Sequence, residues 1–447
     1  TARQSYQSAF VNSGVSFTSG QLPVAVQPGN TNPGGFFGGI AHDFDPGAGV
    51  DVFQQVTIQN NARIFLSFQW DDPFFSVSGT GTNKELDIYV LNAANNTVVA
   101  GSAFSSLGND AVEIFSFTNT TGAAANFNIL ILQASGSSFP SLVKYINFGN
   151  DTTTVEYDTQ SYTIVGHANA TGAAAVGAAF YGFTPAFGQN PPLLESFSSR
   201  GTTSSSIFYT TTGAPTSQVR QKPEFVAPDG GNTSFFGQDI SFGTTDLDSF
   251  PNFFGTSAAA PHAAAVAALI QQGIPTATPS QIYTAMETTA INMDAPGYDV
   301  NSGFGLIDGV AAVNSLPRPV VNGDSNRNSL AGNNSLDLIT GGSGADTLTG
   351  GLAQDTFIYS SVRDAGDLVV DFQSGIDRFD FRSLATSLGQ TGQNLITNGF
   401  LSFGASGSST RIFLDNDGVG TGFSPRPYIL VQNITPASLN VASNFIF

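Results

Sequence analysis

The first third of the chain is a series of short apolar runs rich in β-branched and aromatic residues. Val50–Ile58, Ala62–Trp70, Leu86–Leu91, Glu113–Thr118 and Asn126–Gln133 are such runs, and Gly, Asn and Pro clusters bound them. Their regular spacing predicts a β-sandwich. From residue 160 the pattern changes. Tyr162–Val165 and Ala174–Ala178 read as buried strands, whereas the Ala-rich run Ser257–Gln272 reads as a helix stopped by Gly273. Thr278-Pro279-Ser280-Gln281 is a capping box with Pro at the first helical position. It predicts a second helix to about Thr289, and a short third follows Asp308. Strands alternating with helices predict an α/β layer.

Past residue 317 an internal repeat of period nine begins. Gly323, Gly332, Gly341 and Gly350 share one phase, Asn328, Asp337, Asp346 and Asp355 a second, and Leu330, Ile339, Leu348 and Phe357 a third. Three phased positions are more than a Gly-rich linker explains. The pattern predicts a tight turn and a short strand per unit, with the apolar residue inside a coil. Asp side chains and turn carbonyls then offer hard oxygen ligands, which suit Ca2+. The candidate ligating positions are Gly341, Gly342, Gly344, Asp346, Gly350, Gly351, Asp355 and Asp337. The unit Gly341–Thr349 alone fits G-G-x-G-x-D-x-U-x in full. Asn328, Asn333 and Ala353 depart from it, so one or two full sites are expected.

Composition narrows the picture. The 447 residues suffice for two or three domains. Fifty Gly and only 11% charged residues agree with a β-rich, turn-rich chain, and 39 Phe supply cores. The net charge of −19 excludes nucleic acid and anionic membranes as favoured partners and suits divalent cations. There is no Cys, hence no disulfide or thiolate metal site. No apolar run is long enough to span a bilayer. Thr1–Tyr6 shows no initiator Met, signal peptide or transit pattern.

The candidate chemistry lies in Phe254-Gly255-Thr256-Ser257-Ala258-Ala259-Ala260-Pro261-His262. Gly255 permits a tight approach. Ser257 is a good helix N-cap type, and Pro261 suits the first helical turn. A helix N-terminus aims unpaired N–H groups at whatever the serine holds, which suits an oxyanion. The plainer alternative is an N-capping serine on a core helix. The run G-T-S-A-A-A-P-H resembles the nucleophile segment of the subtilisin-like serine peptidases. Phe197–Gly201 resembles that family's F-S-S-x-G loop. Lys222–Gly230 resembles its K-P-D-[IV]-x-A-P-G turn, with Glu224 for Asp and Asp229 inserted. Ala174–Ala178 resembles its V-G-A strand, and Gly303–Asp308 its closing G-x-G-x-[IV]-[DN] segment. The resemblance implies Ser257 as nucleophile, its backbone N–H as an oxyanion donor, and Gly255, Thr256 and Pro261 as motif support.

A serine nucleophile needs a base and an orienting acid. Upstream of Ser257 stand only His42 and His167, and neither lies in the family's H-G-T context. Both read as structural. His262 is five residues past Ser257, on another helix face. A Ser–Lys dyad with Lys222 is the remaining option, although Lys222 opens a strand. The resemblance implies that the Asp, the His and the oxyanion Asn lie upstream of residue 1.

Other resemblances cover the flanks. Glu85–Leu91 resembles a strand of bacterial pre-peptidase C-terminal domains. Asp71, Asp72 and Asp87 there offer oxygens to calcium or, more commonly, cap strand ends. The nonapeptides resemble RTX calcium β-rolls, and Asp367–Phe381 resembles the segment capping the rolls of serralysin-type proteins. Asn444–Phe447 resembles the ends of type I secretion substrates, or equally is a buried last strand.

The expected fold class is multi-domain, α/β plus all-β. The divisions are a peptidase remnant at 1–15, an inserted β-sandwich at 16–150, a partial subtilisin-like α/β layer at 151–317, a β-roll at 318–360 and a β-rich cap at 361–447. The expected function is the C-terminal part of a secreted, calcium-dependent serine endopeptidase acting on protein or peptide substrates. It would be inactive without its missing N-terminal segment, its partner in this reading. The alternative is a non-catalytic calcium-binding surface or adhesive protein on a degenerate peptidase scaffold.

Overall fold

The computed structural model describes residues 4–447 except 205, 211, 213–214, 236 and 243–245. It is a mixed α/β protein with many strands and few helices. The chain divides into two compact units, residues 1–263 with 290–307, and residues 264–289 with 308–447.

The first unit opens with ten strands: β1 (Ser5–Ser8), β2 (Asn12–Phe17), β3 (Gly39–His42), β4 (Gln54–Trp70), β5 (Glu85–Asn92), β6 (Val98–Ser102), β7 (Val112–Thr118), β8 (Ala125–Ser135), β9 (Val143–Asn147) and β10 (Asn150–Val155). All their pairings are antiparallel. The two runs expected at 50–58 and 62–70 form one strand, β4, which turns at Asn61 with φ 62°. Its first half pairs with β8 and its second with β7 and β9. Strict alternation buries Ile64, Leu66, Phe68 and Trp70 on one face. They meet Leu86, Ile88 and Val90 of β5 and Phe127, Ile129 and Ile131 of β8. Tyr89, Leu130 and Leu132 point the other way, into a second apolar cluster around Phe36.

Two expectations are corrected here. The segment 1–15 is no separate remnant. β1 pairs with β9 over four residues, and Tyr6 and Phe10 enter the same core. The polar sequence Ser5-Tyr6-Gln7-Ser8 hid the strand, and the expected boundary at 16 falls inside β2. Thr1–Arg3 lie outside the described residues. Tyr162–Val165 is not a strand either. Its Thr163 and Ile164 amides both bond the Arg200 carbonyl, 2.8 and 3.3 Å away.

Between β4 and β5 sits a one-turn helix, α1 (Phe75–Ser78). Later in the unit, β11 (Val176–Phe180) runs parallel to β14 (Phe225–Asp229). The antiparallel pair β12 (Ser206–Tyr209) and β13 (Pro215–Gln218) lies between them in sequence. Leu306 bridges to Val226 in parallel, adding the Gly303–Asp308 segment alongside β14. β15 (Gly231–Asn232) and β16 (Asn252–Phe253) pair just before α2 (Thr256–Gly273). α2 begins at Thr256, so Ser257 is its second residue and not its cap. Pro261 lies in its second turn and not its first. Pro lacks the N–H that would reach the Ser257 carbonyl at i−4, so that carbonyl forgoes its helical partner.

In the second unit α3 (Pro279–Thr288) carries the full capping box, and Asp308 caps α4 (Gly309–Ser315) through the Ala311 amide. Short strands then alternate between two parallel sheets. β17 (Val320–Asn322), β19 (Leu338–Thr340), β21 (Thr356–Ile358), β23 (Arg378–Asp380) and β27 (Phe445–Ile446) form one. β18 (Ser329–Ala331), β20 (Thr347–Thr349), β22 (Asp367–Val369) and β26 (Arg426–Val431) form the other, extended antiparallel by β25 (Ser409–Leu414) and β24 (Leu401–Ser406). Partners in these sheets are 18 residues apart through the nonapeptides, as in Leu330 with Leu348. Ile339, Leu348, Phe357, Val369 and Phe379 are wholly buried between the sheets. α5 (Arg382–Ser387) and α6 (Pro436–Leu439) follow. The chain's last strand pairs with β23 and stacks Phe445 on Phe381. Among the described residues no helix is long and apolar enough to cross a membrane.

The alternation in β4 sets a sharp contrast for mutation. Phe68→Ala should cost about 3–5 kcal/mol, because Phe68 is wholly buried. Phe65→Ala, on the outer face, should cost under about 1 kcal/mol. Urea unfolding followed by the emission of Trp70, the only tryptophan, measures both.

Candidate active site and carboxylate ladder

The serine sits on a turn that two sheet elements hold. Asp229 ends β14 and is fully buried. Its Oδ2 accepts the Gly255 N–H at 2.7 Å. Gly255 has φ 120°, a conformation that side chains avoid, so glycine is required there. Gly230 donates to the Phe253 carbonyl at 2.8 Å. Asn252, also buried, donates through Nδ2 to the Gly230 carbonyl and to Asp246 Oδ2. Phe180 and Phe254 pack 5.5 Å apart beside this knot. Ser257 then emerges exposed at the start of α2, among the first four helix amides, which have no intrahelical acceptor.

The flanking motifs brace the same strands. Ser198 Oγ accepts the Ala178 N–H at 3.0 Å, which ties the F-S-S-R-G loop to β11. Gly201 lies so close to the Lys222 carbonyl that an added Cβ would come within 1.5 Å of it. Glu224 stands where the family motif has Asp. Its Oε2 accepts the Ala175 N–H at 2.6 Å and its Oε1 pairs with Lys222 Nζ.

No base stands on Ser257 among the described residues. The Lys222 ammonium is spent on Glu224 and the Ala173 carbonyl. His262 turns Nδ1 back to the Ala258 carbonyl, 2.9 Å away, on its own helix. His42 is buried in the β-rich layer. Its Nδ1 accepts the Val11 N–H at 3.0 Å and its Nε2 meets the Tyr6 hydroxyl at 2.8 Å. Burial lowers its pKa to about 4, so it stays neutral. His167 lies exposed in a short helical turn, Gly166–Asn169.

Asp71, Asp72 and Asp87 are satisfied by protein donors. Asp71 accepts from Ser141 and Leu142, Asp72 from Lys84 and Thr82, and Asp87 from Tyr89. Burial pushes the Asp87 carboxyl up to about 7.

In the nonapeptides, Asp346 and Asp355 each reach back one turn of the coil. Asp346 Oδ1 accepts the Asn328 N–H at 2.7 Å, and Asp355 Oδ1 the Asp337 N–H at 2.9 Å. Beyond the repeat, Asp367 accepts from Asp346, and Asp377 from Asp355, each at 2.9 Å. The second oxygens of Asp346, Asp355 and Asp367 are buried without a hydrogen-bond partner. Those of Asp346 and Asp367 converge: an added Cβ on Gly341 would lie 2.7 and 3.2 Å from them. Burial pushes Asp355 to about 7 and Asp367 to about 6. Asp337 differs, because its Oδ2 accepts the Asn333 N–H at 2.8 Å. Ala353 keeps φ 83° where the pattern has glycine, so the turn persists despite the substitution. Stacked orphan carboxylate oxygens fit a hard divalent cation. Among the described residues no three carboxylates or histidines gather in a cage, so backbone carbonyls would have to complete any such site.

The subtilase family model matches residues 75–333, more than half of the chain. The chain belongs to the subtilase family. The family is one of serine peptidases, and the match contains Ser257. A second model, the C-terminal domain of M10 serralysin peptidases, matches residues 311–407. Over 87 residues this subtilase is 34% identical to fervidolysin of Fervidobacterium pennivorans, covering 20% of this chain and 12% of that protein. Over 80 residues it is 46% identical to the subtilisin-like protease SBT2.3 of Arabidopsis thaliana, covering 17% and 9%. It thus spans about a tenth of the length of these relatives. The CspB protease of Clostridium perfringens aligns at 14% identity and a TM-score of 0.35, over 59% of this chain and 54% of that one.

Sequence reasoning missed Asp229 and Asn252 as supports of the Ser257 turn. The insertion of Asp229 into an otherwise regular motif was the available signal. Burial raises the Asp229 carboxyl above its ordinary value, while the Gly255 hydrogen bond and the His262 charge pull it down. Its neighbour Glu195 is also raised, by burial and then by Asp229. A raised folded-state pKa means that the folded chain holds this proton more tightly than the unfolded chain. Its stabilising share is full below the ordinary carboxylate pKa of about 4 and falls as pH rises through the folded value. Asp229→Asn keeps an acceptor for Gly255 and removes the titration. Its melting temperature relative to wild type should therefore climb from pH 4 to pH 8. Asp229→Ala orphans the Gly255 amide and should cost about 1–3 kcal/mol throughout.

Proposed function

We propose that this subtilase is the C-terminal part of a secreted, calcium-dependent serine endopeptidase. Ser257 is its nucleophile and the Ser257 backbone N–H one oxyanion donor. The observation that carries the reading is an exposed serine at a helix N-terminus, on a glycine turn tied to a buried carboxylate. Ser257 Oγ attacks a peptide carbonyl, the amine leaves with a proton from the base, and water hydrolyses the ester. The base, its acid and a second oxyanion donor come from polypeptide outside these 447 residues, since every local histidine and Lys222 is otherwise engaged or misplaced. The antiparallel β-rich layer is an insert in the peptidase layer and carries no chemistry. Residues 318–360 are an RTX-like calcium β-roll and 361–447 its cap. Calcium there would neutralise the ladder, held by Asp346, Asp355 and Asp367 with carbonyls from the turns at Gly341, Gly342, Gly344, Gly350 and Gly351. Asp337 is a weaker candidate because Asn333, in its own turn, already donates to both its oxygens. Export by type I secretion accords with a serralysin-type C-terminal domain.

The second reading is a non-catalytic calcium-binding surface protein. The engagement of Lys222, His42 and His262 favours it for the 447 residues by themselves. A fluorophosphonate probe separates the two. The isolated chain should label slowly, and the chain joined to a subtilase N-terminal segment supplying Asp, His and Asn should label at Ser257, with Ser257→Ala abolishing it. Absence of labelling in the joined, folded protein would leave the second reading.

Calcium dependence has its own measurement. In chelator, residues 323–360 should exchange amide hydrogens freely, and calcium should protect them. Asp346→Ala should weaken calcium protection more than Asp337→Ala. Equal protection and melting with and without calcium would remove the metal from the proposal.

A further inference from the structure

Three carboxylates lie buried together in the first unit. Glu85 and Asp87 are on β5, and Glu113 is on β7. Their charges act on one another in all three pairs. Among the described residues no lysine or arginine pairs with them, and Lys84, next to Glu85 in the chain, is held by Asp72. A buried charge without a counterion is strongly disfavoured.

Two of these groups hold the connection between β6 and β7. Glu85 Oε2 accepts the Ser106 N–H at 2.9 Å, the Leu107 N–H at 3.2 Å and the Ser105 hydroxyl at 3.2 Å. Glu113 accepts the Ser106 hydroxyl at 3.1 Å and the Ser102 hydroxyl on its other oxygen. Both ends of the segment are fixed elsewhere. Ser102 ends β6, and the Gly108 amide bonds the Thr82 carbonyl at 2.9 Å. Residues 103–107 thus form a strap between two anchored ends. Its large apolar side chains do little to keep it down, since Phe104 is 61% exposed and Leu107 46%. Phe104, Ser105 and Ser106 share with Phe75 and Ile114 the lining of a 460 Å³ cavity.

We infer that residues 103–107 are a proton-controlled strap, closed while the Glu113 carboxyl keeps its proton and loosened once Glu113 is charged beside Glu85 and Asp87. Burial raises the Glu113 carboxyl to about 7; the Ser102 and Ser106 hydroxyls offset this in part, and the Glu85 charge adds to it. Asp87 is pushed to about 7 as well, chiefly by burial. Among the described residues, the other groups facing Glu113 bring no positive charge. Tyr89 keeps its proton, because burial and the Asp87 charge raise it. Asp110, in the same connection, accepts the Ser76 amide, and Phe68 of β4 stands opposite Glu113. A folded value above the ordinary glutamate pKa of about 4.3 means that the closed strap holds the proton more tightly than the open one. Its stabilising share is full below about pH 4 and is lost as pH rises through about 7. Movement of the strap reshapes the cavity it lines. Nothing in this rests on the peptidase reading.

The test follows amide hydrogen exchange at Ser106 and Leu107 in the full 447-residue protein, in chelator, with each rate divided by that of an unstructured peptide at the same pH. Protection of these two amides should fall about a hundredfold from pH 5 to pH 8, while the amides of Leu130–Leu132 in β8 keep theirs. Glu113→Gln stays neutral and can still donate to one serine hydroxyl and accept from the other. Its strap should remain protected at both pH values. Glu85→Gln removes the neighbouring charge and leaves an acceptor for the Ser106 amide. In that variant the pH-linked loss should shrink and level off at lower pH, which decides the matter if circular dichroism shows Glu113→Gln misfolded. Equal wild-type protection at pH 5 and pH 8, or a loss that survives Glu113→Gln in a folded protein, would overturn the inference. So would calcium that restores strap protection to the wild type at pH 8 without affecting Glu113→Gln, because the cluster would then answer to a metal and not to protons.

Discussion

The hydrogen bond from Gly255 to the buried Asp229 carboxylate is the tie on which the position of Ser257, the proposed nucleophile, depends. It joins the end of a parallel strand to the first residues of a helix whose other anchors are weak. The Ser257 carbonyl lacks its helical donor because of Pro261, and the helix carries no acid in its first turn. Without the tie, Gly255 at φ 120° would have every freedom to relax, and the serine would follow it. Burial makes the carboxylate hard to ionise, and the Gly255 amide compensates in part. Asn252 then fixes the approach from the other strand, so both sides of the loop are held by buried polar side chains.

The second unit relies on the same chemistry repeated along an axis. A carboxylate oxygen meets an amide on the next turn, and its twin is left inside without a partner. The apolar side is complete: Ile339, Leu348 and Phe357 fill the space between the sheets. The polar side is not, and burial holds Asp355 and Asp367 partly toward their neutral forms. Arg318 enters this side as a protein cation, donating to the Leu336 and Gln354 carbonyls at 3.0 and 2.6 Å.

Much of this was legible in the residues, where local pattern and structure share a cause. The capping box at Thr278 and the cap at Asp308 are read directly because each needs three or four neighbouring residues. The nonapeptide phase is equally plain, since every turn repeats the last. It was lost at Asp367 and Asp377, where the spacing between ladder partners grows from 18 to 21 and 22 residues. The motif around Ser257 gave the helix but misplaced Pro261, because a preference for first turns yields to the geometry that the Gly255 turn imposes. β1 escaped notice because its burial is set by its partner β9, some 140 residues on.

The ladder also has a direction. Each amide on a turn waits for a carboxylate supplied by residues later in the chain: Asn328 for Asp346, Asp346 for Asp367. The outermost strand of one sheet, β27, is itself the last segment of the chain. Carboxylate support in this unit therefore runs backwards along the chain, toward the helices. Backbone support runs the other way, since the Leu338 and Thr347 amides bond the Pro319 and Asn328 carbonyls one turn earlier. Each inner turn is thus clasped from two directions, by a side chain that comes after it and a carbonyl that comes before it.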